Sequence, residues 1–196
     1  MLTTNPDVIV TSLPYNIIIK RYCIYENGKL SQQVTDATPY WPANAVAFLI
    51  GCSFSYDAVL LAANIPLRSK EQNKNVPMYK TNVPTIPAGI FKGHAVVSMK
   101  PIKAVDVAKE VLITSKYQKA HGPPICVGCP QSIGIFDINT PDWGDAVDIQ
   151  EDEIPVFHYC GVTPQQVLME SGVEFFISHS PGHMFVTDLK LEDMVV

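Results

Sequence analysis

The sequence predicts a single globular unit of mixed class, α/β or α+β, with a mixed β-sheet and short helices. Three observations carry that prediction: strand-like runs around an Asn-Gly turn near the start, one amphipathic helix in the middle, and strand, helix, strand order in the C-terminal half. With 196 residues and 47% hydrophobic content, the chain buries roughly 70% of its unfolded surface. That is enough for one core, and residues 1–196 are read as one domain.

Ile17 to Tyr25 and Leu30 to Val34 are strand-like and flank Glu26-Asn27-Gly28-Lys29. Asn-Gly supplies the positive φ values that a tight hairpin needs, so the chain is expected to open on a β-hairpin. Ala45 to Ile50 is a continuous apolar run that reads as a buried strand. It leads into the polar turn Gly51-Cys52-Ser53-Phe54-Ser55 and a short helix over Tyr56 to Ala63, for which Ser53 or Ser55 is the expected cap. Residues 64–94 hold four of the prolines and read as an extended surface excursion.

Ala95 to Met99 resumes as a strand. From Lys103 to Lys116 the apolar Ala104, Val107, Ala108, Val111 and Leu112 recur at helical spacing and define the expected core-facing side. Ile154 to Tyr159 is strand-like. Thr163-Pro164-Gln165-Gln166 then gives a cap, a proline at the first helical position and a glutamine two positions on, the pattern of a capping box. Gly172 ends that helix, Val173 to Ile177 returns as a strand, and Pro181-Gly182 turns the chain between two strand-like segments.

Charge and composition exclude several functions. A net charge of −5 without a lysine-arginine cluster longer than Lys20-Arg21 leaves no footprint for nucleic acid. The longest apolar stretch is far too short to span a bilayer, and the N-terminus has no basic residue ahead of its first apolar stretch. A cytoplasmic location is expected, with the mitochondrial matrix as the alternative. Five cysteines without a secretory signal read as free thiols in a reducing compartment.

Several groupings can carry chemistry. His179 and His183 sit on the Pro-Gly bend, either as proton-transferring imidazoles or as histidines hydrogen-bonded within a turn. Cys160-Gly161 and Gly51 to Ser55 each lead into a helix start, where backbone N–H groups can hold a carboxylate or oxyanion. The alternative is that the cysteines are small buried hydrophobes and the serines only cap. Asn75 to Pro84 gathers Tyr79, Lys80 and Asn82, donors suited to an anionic small molecule. Asp142 and Asp145 flank Trp143 as acid/base groups or as an ordinary Asx turn. Cys126-Val127-Gly128-Cys129 has zinc-ligand spacing but no second pair, so no metal and no cofactor is assigned.

The blocks "FLIGCSFS", "NVPMYKTNVP", "AGIFKGHAVVSMKP", "HGPP", "PDWGD", "PVFHYCGVTPQ" and "SHSPGHMFVTD", in that order from about Leu13 to Asp188, resemble the D-glutamate cyclase family. Bacterial members of that family are labelled hydro-lyases. The resemblance implies a carbon–oxygen lyase acting on a small amino or carboxylic acid, with D-glutamate closing to 5-oxo-D-proline as the named activity. It implies relatives with an additional N-terminal segment ahead of the matched region. This chain has Lys80 and Lys100 where the family usually has arginine, Cys126 and Cys129 where histidine and aspartate are common, and His158 where tryptophan is frequent.

On that resemblance, Lys80 and Lys100 are expected to hold carboxylates, with Tyr79 and Asn82 beside them. Ser53, Ser55 and Gly161 are expected to stabilise the oxyanion. His183 or His179 would move the proton, with Asp145 as orienting or alternative partner, and no covalent intermediate is required. The expected partner is a small acidic substrate; homo-oligomers are left open. Two other readings are a non-catalytic carboxylate-binding module that regulates a partner enzyme, and metal-dependent hydrolysis through the histidines and Asp145.

Overall fold

The computed structural model describes residues 19–185 and 190–195. The hairpin forms as expected: β1 (Tyr22–Glu26) and β2 (Lys29–Val34) pair antiparallel. Asn27 and Gly28 both take positive φ, at 49° and 73°, the requirement of a type I′ turn. The other edge of β1 pairs antiparallel with β7 (Phe175–His179), giving a three-stranded sheet in the order β2-β1-β7. Tyr25 faces Phe176 across that pair with ring centroids 4.3 Å apart and nearly parallel, a stacking contact that helps fix register.

The second sheet has the order β3-β4-β6-β5, from β3 (Met78–Pro84), β4 (His94–Lys103), β5 (Cys126–Val127) and β6 (Glu153–Tyr159). All its pairings are antiparallel, so of the two classes α+β is the one formed. The strand, helix, strand order of the C-terminal half is present, with α4 (Thr163–Glu170) between β6 and β7. The two strands belong to different sheets, so α4 bridges sheets instead of making a parallel crossover.

β4 is buried from Ala95 to Ile102 because both of its faces are covered. On one face Tyr79, Val97, Met99 and Phe157 pack against Ile133, Ile135 and Val147 of a long irregular segment. On the other, Ile102 and Val156 meet Leu60 of α1 (Asp57–Ala62) and Val107 and Ile113 of α3 (Val107–Thr114), while Met78 and Val96 form a separate patch with Val162. Between those two apolar patches the same face carries Ser98, Lys100 and His158, all buried.

Five local expectations are corrected. Residues 45–50 form no strand and are exposed: Val46 is 70% and Phe48 74% accessible. The sheet partner that burial of this run requires is absent from the described residues. Residues 64–94 are no surface excursion, because β3 lies within them and buries Met78 and Tyr79, while Arg68–Glu71 form a short helix, α2. Neither Ser53 nor Ser55 caps α1; residues 53–56 continue as a 3₁₀ turn into it.

The capping box at Thr163 does not form either. The Thr163 hydroxyl instead accepts from the Val96 N–H at 2.9 Å and donates to the Val96 carbonyl at 3.1 Å, docking α4 on β4. In α3 the buried face carries Glu110 and Thr114, while Leu112 is 68% exposed, so the apolar stripe expected from spacing is rotated. The reason is a polar partner on the sheet, taken up below. The strand expected after the Pro-Gly turn falls partly at 186–188, outside the described residues.

Candidate functional site

The polar stripe on β4 and β6 is the centre of the densest buried group of ionisable side chains. Ser98 and His158 are directly paired across the strands, and Lys100 stands one position along the same face from Ser98. Lys100 is 5% exposed, and its ammonium lies 3.0 Å from Asp57 Oδ1 at the start of α1. The other Asp57 oxygen is 3.1 Å from Lys70 of α2. The Lys100 ammonium also stands 4.5 Å from the centroid of the Tyr56 ring, a cation–π contact in a desolvated setting. Two ammonium groups thus share one carboxylate, Lys100 from within the core and the half-exposed Lys70 from the solvent side.

His158 extends the cluster. Its Nε2 is 2.8 Å from Glu110 Oε1, with both side chains fully buried, and its Nδ1 is 3.3 Å from the Gly122 carbonyl. The Glu110 contact is close but poorly aligned for a hydrogen bond. It explains why α3 turns a carboxylate inward: burying Glu110 without a charged neighbour costs more than exposing Leu112. The Tyr56 ring lies 5.9 Å from His158, centroid to centroid. Burial, with Glu110 and Asp57 nearby, pushes the Tyr56 hydroxyl far above the ordinary phenol value.

Two chain segments close over this cluster. Gly51 approaches Lys119 so tightly that a Cβ there would fall 1.8 Å from the Lys119 carbonyl oxygen. A Cβ at Gly161 would lie 3.7 Å from both the Gly51 carbonyl and His121 Nε2. Only glycine at 51 lets the turns at 51, 121 and 161 meet. The ring nitrogen of His121 is sealed from solvent beside the Gly51 carbonyl, the Tyr56 hydroxyl stands against Ser53, and the Ser98 hydroxyl is sealed without a hydrogen-bond partner. Burial, with His158 and Lys100 close by, pulls the His121 pKa down to about 4, so at neutral pH this imidazole is uncharged.

The rim consists of half-buried Gly51, Cys52, Cys160 and Gly161. Burial raises the Cys52 thiol and pushes Cys160 up to about 12, so neither is a thiolate at neutral pH. Two open hollows lie elsewhere: one of ≈ 460 Å³ bounded by Leu61, Asn64 and Lys103, another of ≈ 190 Å³ bounded by Tyr79, Lys80, Asp137 and Asp142. The first offers little convergent chemistry. The second has two carboxylates against one lysine, a poor cradle for an anion.

The expected site residues therefore divide into three places. Ser53, Lys100 and Gly161 stand in or beside the buried cluster; Ser53 is buried next to the Tyr56 hydroxyl, and Ser55 is half-buried in the same turn. Tyr79, Lys80 and Asn82 lie along β3. The Tyr79 hydroxyl donates to the Ile138 carbonyl at 2.6 Å, Lys80 pairs with Asp142 at 3.6 Å, and Asn82 packs under Gly134. Asp145 accepts from the Asn75 N–H at 2.8 Å, and the Gly182 turn rests against the Asn75 side chain. His179 and His183 each direct Nδ1 at a neighbouring carbonyl, of Ser180 at 2.8 Å and of Pro181 at 3.3 Å.

Asp57, Glu110 and His121 were not among the candidate site residues, and His158 was noted only as a departure from the family pattern. His121 opens the "HGPP" block, and a polar residue inside an apolar helical pattern marks Glu110. Their convergence needed the β4–β6 register, which no spacing rule supplies.

The family model described as D-glutamate cyclase matches residues 46–188. A protein of Stutzerimonas stutzeri named "Putative hydro-lyase" is 51% identical over 176 residues, covering 90% of this chain and 66% of that protein. One of the same name from Psychrobacter arcticus is 51% identical over 194 residues, covering 99% and 74%. A Rhodopseudomonas palustris relative, also so named, is 47% identical over 194 residues, covering 98% and 71%. The chain thus spans about two thirds to three quarters of the length of these relatives. No helix among the described residues is long and apolar enough to cross a membrane. With that match and these identities, the chain belongs to the D-glutamate cyclase family.

Proposed function

We propose that this chain is a hydro-lyase for a small amino acid carrying a side-chain carboxylate, closing D-glutamate to 5-oxo-D-proline, and that the cluster beneath Gly51 and Gly161 is its site. The observation that carries the reading is Lys100: a nearly inaccessible ammonium, oriented by Asp57 and the Tyr56 ring beneath the turns at 51 and 161. Such a group matches one substrate carboxylate entering past the half-buried rim.

In the reaction the substrate amine attacks its own side-chain carboxyl carbon, a C–N bond forms and a C–O bond breaks. The two protons given up by the ammonium leave with one carboxylate oxygen as water, so no net proton comes from solvent. One uncharged imidazole can relay them, and His121 is supported in that role by its lowered pKa and by its place beneath the turns at Gly51 and Gly161. Backbone N–H groups at the 51–53 and 161 turns, with the Ser53 hydroxyl, are the donors assigned to the developing oxyanion. Neither thiol acts as a nucleophile at their raised pKa values.

A second assignment of the proton carrier is His183, favoured by its turn resting on Asn75, the residue that Asp145 clamps. The test incubates the purified chain with D-glutamate, and with L-glutamate for comparison, and follows 5-oxoproline by mass spectrometry. Lys100→Met, His121→Gln and His183→Ala are assayed in parallel. Product formation abolished by Lys100→Met and His121→Gln supports the reading. Undiminished turnover in Lys100→Met refutes the site, loss confined to His183→Ala moves the proton to the bend, and binding without turnover supports the regulatory carboxylate module.

A further inference from the structure

The Cys126-Val127-Gly128-Cys129 turn plays no part in the chemistry above, and it lies at the far edge of the second sheet, on β5. Gly128 holds φ at +78°, and a Cβ there would press within 3.3 Å of the Ile154 side chain. The chain therefore reverses tightly between the two cysteines. The Cys126 sulfur is folded back over the turn to 3.3 Å from the Cys129 carbonyl oxygen. Ser132 fixes that carbonyl, donating to it at 2.6 Å, and its hydroxyl stands 3.7 Å from the same sulfur. Both thiols are free; Cys129 is exposed and Cys126 half-buried.

A disulfide spans roughly 4.4–6.8 Å, Cα to Cα, and the Cys126 sulfur already reaches the backbone of Cys129. Among the described residues no group of three His, Cys, Asp or Glu side chains is placed to hold a metal ion, so two ligands alone would have to hold a zinc ion here. We infer that Cys126 and Cys129 form a reversible dithiol–disulfide couple, oxidised by a low-molecular-weight disulfide, that pins the sheet edge to the turn following it.

The chemistry balances in two exchanges. The exposed Cys129 thiolate attacks one sulfur of the small disulfide, forming a mixed disulfide and releasing one small thiolate. The Cys126 thiolate, already folded over the turn, then attacks the Cys129 sulfur and expels the second thiolate. Two protein thiols are oxidised, one small disulfide is reduced to two thiols, and the protons pass to those products. An exposed bridge of this kind remains open to reduction by the same pool, as befits a redox-responsive pair in a reducing compartment.

The experiment equilibrates the full chain in glutathione buffers from reducing to oxidising, quenches with acid, alkylates after denaturation and locates the modified cysteines by peptide mapping. Cys126 and Cys129 are expected to lose alkylation together, with the peptide lighter by two hydrogens, while Cys23, Cys52 and Cys160 remain alkylated. The ratio of bridged to open pair should follow glutathione disulfide over the square of glutathione, so a tenfold rise in that quotient shifts it about tenfold. In Cys129→Ser, with its fold checked by circular dichroism, Cys126 should stay alkylatable throughout. Three outcomes would overturn the inference: a pair that stays reduced at the oxidising limit, a Cys129 that stops at the glutathione adduct, or zinc found with the purified chain that blocks both thiols.

Discussion

Protonation of His121 gives the sharpest quantitative test of the buried cluster. Its pKa falls from 6.5 to about 4 on folding because the ring is desolvated and faces Lys100 and His158. The unfolded chain therefore takes up this proton first as pH drops. Stability is complete above 6.5, declines through the interval, and levels off below about 4, where both states carry the proton. The difference of about 2.5 pH units corresponds to about 3 kcal/mol, with a limiting slope of about 1.4 kcal/mol per pH unit.

Other groups titrate in the same range, so the informative quantity is a difference between proteins. Urea unfolding of the wild type and of His121→Gln, followed by tryptophan fluorescence across that window, isolates it. The variant should be closest to the wild type above 6.5 in their common baseline and lose about 3 kcal/mol less on acidification. Identical pH slopes in the two proteins would refute the claim that His121 is held uncharged inside the fold. They would also remove it as the proton relay.

Further expectations concern the same cluster. Lys100→Met leaves Asp57 to Lys70 alone and should cost about 3 kcal/mol by denaturant unfolding, while abolishing turnover of D-glutamate. Glu110→Ala strips His158 of its charged neighbour inside the core and should cost about 3–5 kcal/mol. Replacing the pair together with Leu and Phe should recover most of that loss in a double-mutant cycle. Gly51→Ala drives a Cβ into the Lys119 carbonyl and should destabilise by about 2 kcal/mol with a displaced rim, seen as lost turnover in protein that still folds.

How far the sequence disclosed this site depends on the range of each interaction. The hairpin was legible because Asn27-Gly28 encodes its own turn geometry, and β4 and β6 because their composition suits a strand whatever surrounds it. Local signals misled where a long-range contact offered a better partner. Thr163 can cap a helix, yet it serves both backbone groups of Val96. Spacing set Leu112 inward, yet Glu110 takes that side because His158 waits on the sheet. Ala45 to Ile50 has the composition of a buried strand without a strand beside it among the described residues.

The two faces of β4 supply an internal comparison that bears on the proposed chemistry. Val97 and Met99, with Phe157 of β6, build an apolar layer against Ile133 and Ile135, in which the Tyr79 hydroxyl is satisfied by the Ile138 carbonyl. One residue along in each case, Ser98, Lys100 and His158 are just as deeply buried, and they require Asp57 and Glu110 to be buried with them. Replacing such ion pairs with well-packed apolar side chains is commonly neutral or stabilising, so stability alone does not account for the second face. It also leaves the Ser98 hydroxyl without a partner, a cost in a closed core. A carboxylate-bearing substrate would pair with the Lys100 ammonium, and its oxygens would accept from the Ser98 hydroxyl. On that argument the unfavourable terms of the empty fold are the favourable terms of the occupied one, and ligand binding should raise the unfolding temperature of the wild type but not of Lys100→Met.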